Sequence, residues 1–179
     1  MSGYDTCASG RVVVGVSGSL GSVTALRRAA TEARRREAEL WPVLAWEPPG
    51  GELAARRAPA PPPLVEEWQR TARERLLGVL DEVFGEAGPS GVPLHGLVVR
   101  ATPGPALVET ADRDDDILVV GAGRRGWHRA FSGRVARYCL AHAHCPVLAI
   151  PPSPLEDALA AVHRRNAWHL PLDVRKLPC

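Results

Sequence analysis

The sequence predicts an α/β fold: an open five-stranded parallel sheet with helices on both faces. Three observations carry that expectation. Short apolar runs alternate with segments whose apolar residues recur every three or four positions, from about Arg11 onward. The first run, "RVVVGV", is continuous and β-branched rather than alternating, as a strand buried on both faces must be. A helical segment separates each run from the next, and right-handed crossovers of that kind return every strand parallel to the last.

Each element has its own justification. After "RVVVGV" (residues 11–16), Ser22 is placed to cap a helix carrying Val23, Leu26, Ala30 and Ala33 on one side. "ELWPVLAW" (39–46) reads as the second strand, with Pro42 near its beginning, where a missing N–H is tolerable. "EPPGGELAARRAPAPPP" (47–63) reads as a mobile Pro/Gly/Ala loop. Val65, Trp68, Ala72, Leu76, Val79 and Val83 then hold helical spacing until Gly85. "LHGLVVRA" (94–101) is the third strand, and "TPGPALVETADR" (102–113) a short helix with Pro105 in its first turn. "DDILVVGA" (115–122), "GRVARYCLAHAH" (133–144) and "PVLAI" (146–150) complete the alternation as strand, helix and strand. The expected organisation is a disordered N-terminus over 1–10, an α/β domain over 11–152 and a helical tail over 153–179.

The tail has good start signals: Ser153 as cap, Pro154 at the first helical position, and Glu156 and Asp157 in the first turn. Leu155, Leu159 and Val162 form an apolar stripe, and Trp168, Leu170 and Leu172 follow. That much apolar surface is expected to pack on its own domain or on a second copy.

Composition narrows the function classes. The 22 basic and 20 acidic residues nearly cancel and are interleaved, as in "EARRREAE", which marks a solvated helix face and not a nucleic-acid footprint. No run is long enough to span a membrane, and the start carries no signal-peptide segment, so a cytoplasmic protein is expected. The four cysteines show no CxxC spacing and are too few for a disulfide framework.

In open parallel sheets, ligands sit outside the carboxyl ends of the strands, where strand order reverses. The candidate site is therefore the loop after "VVVGV" together with the loop after "ILVV", both rich in glycine. At this point the chain resembles the universal stress protein family. "VVVGVSGSLGSVTALRRAATEARRREAELWPVLAWEPP" is similar to its first strand, helix and second strand. "TPGPALVETADRDDDILVVG" and "DDILVVGAGRRGWHRAFSGRVARYCLAHAHCPVLAIPP" are similar to its closing half. The resemblance covers roughly Arg11 to Pro152 and implies a Rossmann-like five-stranded parallel sheet, commonly dimeric, in stress-response roles.

Some members of that family bind ATP through a loop of pattern G-x-x-G, nine residues, then G-[ST], assisted by an acidic residue ending the first strand. Glycines let backbone N–H groups approach phosphate, and the helix N-terminus that follows favours the anion. The resemblance makes Val16, Ser17, Ala45, Val120, Gly121, Gly123, Arg124, Arg125, Gly133, Arg134 and Val135 the candidate nucleotide or phosphate residues. Gly123 and Gly133 match the pattern's second and third glycines, but its first falls on Val120, with Gly121 one residue late. Arg134 replaces the hydroxyl and Ser17 the acid. The expectation is a degenerate or altered site, in a protein that binds and does not catalyse. It names no fixed cofactor, with ATP or AMP as the candidate ligand. ATP with magnesium should bind weakly or not at all, while AMP or sulfate is accommodated near Gly133 and Arg134. The alternative is an ATP-binding stress switch with slow hydrolysis.

Other readings are weaker. "VSGSLGS" resembles the S-G-G-x-D-S loop of ATP pyrophosphatases, but Ser19 and Gly21 stand where a glycine and the aspartate belong. "GVSGS" is a near miss to a nucleophile elbow, with His128 or His142 and Asp114 or Asp116 as nominal partners of Ser17. "CLAHAHC" offers Cys139, His142, His144 and Cys145 to zinc, yet its residues divide between a helix and a turn, so no metal is expected. The arginines at 124, 125, 129, 134 and 137 lack the basic excess and placed aromatics of an RNA binder. The last strand would expose an apolar edge, so a homodimer through Val147, Leu148, Ala149 and Ile150 is expected. No nucleic acid and no membrane are expected as partners.

Overall fold

The computed structural model describes residues 10–123 and 133–153. Five parallel strands form one sheet in the order β3-β2-β1-β4-β5. In chain order the elements are β1 (Arg11–Gly15), α1 (Leu20–Arg36), β2 (Glu39–Trp46), α2 (Gly51–Arg57), α3 (Pro62–Phe84), β3 (Leu97–Arg100), α4 (Pro103–Thr110), β4 (Ile117–Gly121), α5 (Arg134–His142) and β5 (Val147–Ile150). The sheet therefore grows outward from β1 through β2 to β3. It then restarts on the other side of β1 with β4 and β5.

Burial follows from the apolar runs. Val12, Val13 and Val14 of β1 are fully buried, as are Leu118 and Val119 of β4. Val12 and Val14 pack with Ala25, Leu26 and Ala29 of α1 and Ala72 and Leu76 of α3 on one face. Val13 packs with Leu107 of α4 and Ala136 and Cys139 of α5 on the other. Each fully buried valine or leucine among them contributes about 1.5–3 kcal/mol before chain entropy is counted. Both faces are covered because both carry apolar side chains.

Three local features differ from the sequence expectation or refine it. The cap of α1 is Ser19, whose hydroxyl accepts from the Ser22 amide at 3.3 Å, while the Ser22 hydroxyl donates back to the Ser19 carbonyl at 2.8 Å. Two serines at this spacing are both plausible caps in sequence; the earlier one wins because Ser22 is buried inside the first turn. The segment read as a mobile loop contains α2, seven residues with no buried side chain and no side-chain cap. Pro42 is buried in β2, opposite the gap between the isolated Leu40–Leu94 pairing and the β3 ladder that begins at Leu97. Its missing N–H therefore breaks no ladder bond.

The expected N-terminal segment, except Gly10, and the expected tail, except Ser153, lie outside the described residues. Among the described residues, no helix is long and apolar enough to cross a membrane.

Candidate functional site

Strand order reverses between β1 and β4, which pair directly through Val12–Ile117, Val13–Leu118 and Val14–Val119. The crevice outside their carboxyl ends is thus the position where this architecture places ligands. The β1–α1 turn and the two ends of the β4–α5 loop meet there.

On the β1 side, Val16 is buried and its amide donates to the Val43 carbonyl at 2.9 Å, which fixes the strand end. Ser17 follows, exposed, with its hydroxyl 3.0 Å from that of Ser19. The next residues enter α1, whose first turn carries no acid. On the β4 side, Gly121 is the last strand residue, and a Cβ there would meet the Gly21 carbonyl oxygen of α1 at 3.3 Å. Gly121 thus permits the close approach of α1 to β4 that forms the crevice floor.

The β4–α5 loop leaves and returns through one narrow point. Gly133 has φ +85°, and a Cβ on it would lie 2.8 Å from the Ala122 carbonyl oxygen and 4.0 Å from the Gly123 Cα. Only glycine meets both demands. The Ala122 amide donates to the Ile150 carbonyl at 2.7 Å, which ties the start of the loop to β5. Gly133 is the N-cap residue of α5, and Arg134, exposed, is its first helical residue. The first turn of α5 also lacks an acid. Two helix N-termini with their partial positive charge therefore face one crevice, with no carboxylate in either first turn.

The remaining candidates separate by role. Val120 is buried and Val135 half-buried, and both side chains pack into the core shared by α4 and α5. Ala45 lies half-buried in β2, paired with Val99 of β3. Beside it, the Arg100 guanidinium sits 5.8 Å from the Trp46 ring and pairs with Glu52 of α2 at 3.3 Å. Arg124, Arg125, Trp127, His128 and Arg129 lie outside the described residues.

Asp116, Cys139 and His142, nominated for other chemistry, stand in other surroundings. Asp116 is fully buried, accepting from Arg11 Nε at 2.9 Å, Arg11 Nη2 at 2.6 Å and the Arg113 amide at 3.0 Å. It precedes β4 and so stands at the amino end of the sheet, away from Ser17. Its hydrogen bonds raise the Arg11 pKa further above the ordinary guanidinium range. The Arg11 hydrogen bond conversely lowers the Asp112 carboxyl. Cys139 is fully buried, and desolvation pushes its thiol up to about 11, while the exposed His142 ring stacks on Tyr138 at 4.1 Å.

Sequence reasoning missed Arg75. From α3 its guanidinium donates to the Ser17 carbonyl at 2.6 Å. The only signal was its place beside Ala72, Leu76 and Val79 on the helix, which says that it borders a buried stripe but not which loop it meets.

The family model described as the universal stress protein family matches residues 9–151. A universal stress protein of Mycobacterium tuberculosis is 34% identical over 144 residues, covering 78% of this chain and 46% of that protein. The chain spans about half the length of the curated relatives it matches first. Among solved structures, the universal stress protein from Archaeoglobus fulgidus in complex with dAMP is 26% identical with a TM-score of 0.55, covering 80% of this chain and 98% of that one. A universal stress protein in complex with cAMP is 27% identical with a TM-score of 0.52, covering 82% and 99%.

Proposed function

The chain belongs to the universal stress protein family, and from that membership we propose that it acts in stress response by binding an adenine nucleotide in the crevice between β1 and β4. The observation that carries this reading is that the α1 N-terminus meets the end of β4 at Gly121 while α5 starts at Gly133 beside Ala122, with no acid in either first turn. Helix N-termini favour anions, and glycines admit them to the backbone. Two relatives above 25% identity are described in complex with dAMP and with cAMP, each bearing one phosphate group.

The finer reading is a monophosphate binder without catalysis of its own, in the cytoplasm. The loop has one residue fewer between its first two glycines than the family pattern. Fewer backbone donors then remain for a triphosphate. Arg134 at the first position of α5 is unfavourable toward the helix dipole by about 0.3–1 kcal/mol, a cost offset when an anion sits beside it. Asp116, a nominal partner for Ser17 in hydrolysis, is locked by Arg11 at the other end of the sheet.

Calorimetric titration with AMP, dAMP, cAMP and ATP–magnesium tests this reading. The expected result is that AMP binds at least about tenfold more tightly than ATP–magnesium, with no phosphate released from ATP. A low-micromolar constant for ATP would instead favour an ATP-binding switch. Absence of binding by all four nucleotides would overturn the proposal.

A further inference from the structure

Resting on the crevice reading above, we propose that Arg75 of α3 is a specificity-determining residue: the cation by which the crevice selects a phosphate-bearing ligand over a neutral one. Its placement is specific. Nη2 donates to the Ser17 carbonyl at 2.6 Å, at the end of β1. A Cβ on Gly18 would lie 3.5 Å from both Nε and Nη2, and 3.8 Å from Val79 one turn further along α3. Gly18 has φ +74°, so the turn presents bare backbone to the guanidinium. The charge is thus held against the β1–α1 turn, which borders the crevice, by a helix of 23 residues and not by a loop.

Electrostatics gives that placement a purpose. A carbonyl orients the guanidinium but does not neutralise it. The helical neighbours three and four positions away are Thr71, Ala72, Gly78 and Val79, none of them acidic. Among the described residues Arg75 has no ion pair, whereas Arg70 of the same helix pairs with Glu67. One of five N–H donors is committed to Ser17, and the others remain in a planar fork suited to two phosphate oxygens. Pre-orientation by Ser17 reduces the rotamer freedom lost when an anion arrives.

The rival role is a staple that only holds the β1–α1 turn to α3. Titration of wild type, Arg75→Gln and Arg75→Lys with AMP and with adenosine separates the two. Glutamine removes the charge and retains an amide donor on a shorter side chain; lysine keeps the charge. The expected result is that Arg75→Gln weakens AMP by about tenfold or more and leaves adenosine unchanged, while Arg75→Lys retains most AMP affinity. Rising ionic strength should weaken AMP binding in wild type more than in Arg75→Gln. Equal loss for AMP and adenosine, or no loss for either, overturns the inference and leaves the crevice reading standing. Failure of wild type to bind AMP overturns this inference, and failure to bind any of the four nucleotides overturns the crevice reading with it. Melting temperatures of the three proteins should coincide, because Arg75 is exposed.

Discussion

Gly133 is asked for two things at once: a left-handed backbone and an empty space beside the Ala122 carbonyl. Gly133→Ala violates both, and a loss of about 1–3 kcal/mol is expected, read as a fall in the denaturant midpoint at unchanged slope. The effect on AMP should exceed that of any substitution confined to the core, since the pinch and the α5 N-terminus are built on this residue. At the opposite end of the sheet, Arg11 joins Asp112 and Asp116 and lies 5.0 Å from the Trp41 ring. The Arg11 hydrogen bond depresses the Asp112 carboxyl pKa in the folded state. Folding therefore favours the ionised form, and the unfolded chain takes up the proton first as pH falls. The contribution of Asp112 is fully present above its unfolded value of about 4 and disappears as pH falls through the lower folded value. Denaturation of wild type and Asp112→Asn at a series of pH values should show a gap at neutrality that closes under acid conditions. A gap constant down to the lowest pH would refute the linkage.

Among elements, α1 shows how a helix start is chosen. Ser19 accepts from the Ser22 amide, and the Ser22 hydroxyl returns a bond to the Ser19 carbonyl. Ser19→Ala should cost about 1 kcal/mol, measured by urea denaturation, and should speed amide exchange in the first turn of α1. That turn borders the crevice, so weaker AMP binding should accompany the change. α2 stands at the other extreme. It is seven residues long, buries no side chain, and lacks a side-chain cap; helices of that length are marginal in isolation. Its Glu52 ties to Arg100, but exposed pairs of this kind contribute little. Amide exchange in α2 is accordingly expected to be far faster than in α1 or α3.

At the scale of the whole molecule, the sheet ends on β3 and β5. The Pro146 and Ile150 carbonyls accept from Leu118 and Ala122, so alternate residues of β5 direct their backbone at β4. Val147 and Ala149 consequently direct theirs at the outer edge, which among the described residues has no strand beside it. An unpaired edge with half-buried apolar residues is a template for a second strand, and we propose that a second copy supplies it. Light scattering at about tens of micromolar, a concentration suited to moderate affinity, should give the mass of a dimer. Ala149→Pro removes an outward donor and leaves the β4–β5 ladder intact, so it should yield a folded monomer. A wild-type monomer, or a dimer unaffected by Ala149→Pro, would rule out this edge.

The alternation of apolar runs and helical stripes determined the strand count, the parallel sense and the two covered faces, because burial on both sides of β1 and β4 demands apolar residues at every position. The family likeness was equally legible in the strand and helix segments from Arg11 to Pro152, and Gly133 holds a geometric place that only glycine fills. Sequence spacing could not decide between Ser19 and Ser22, since either can cap until the packing of the first turn buries one of them. Nor could it find α2, where Pro and Gly outweigh a short run of helix formers, Glu52 to Arg57. Arg75 and Ser17 stand 58 positions apart in the chain, and no local pattern links them. Only the packing of α3 beside α1 brings that charge to the end of β1, because helix periodicity specifies which residues face inward and tertiary contact alone specifies what they meet.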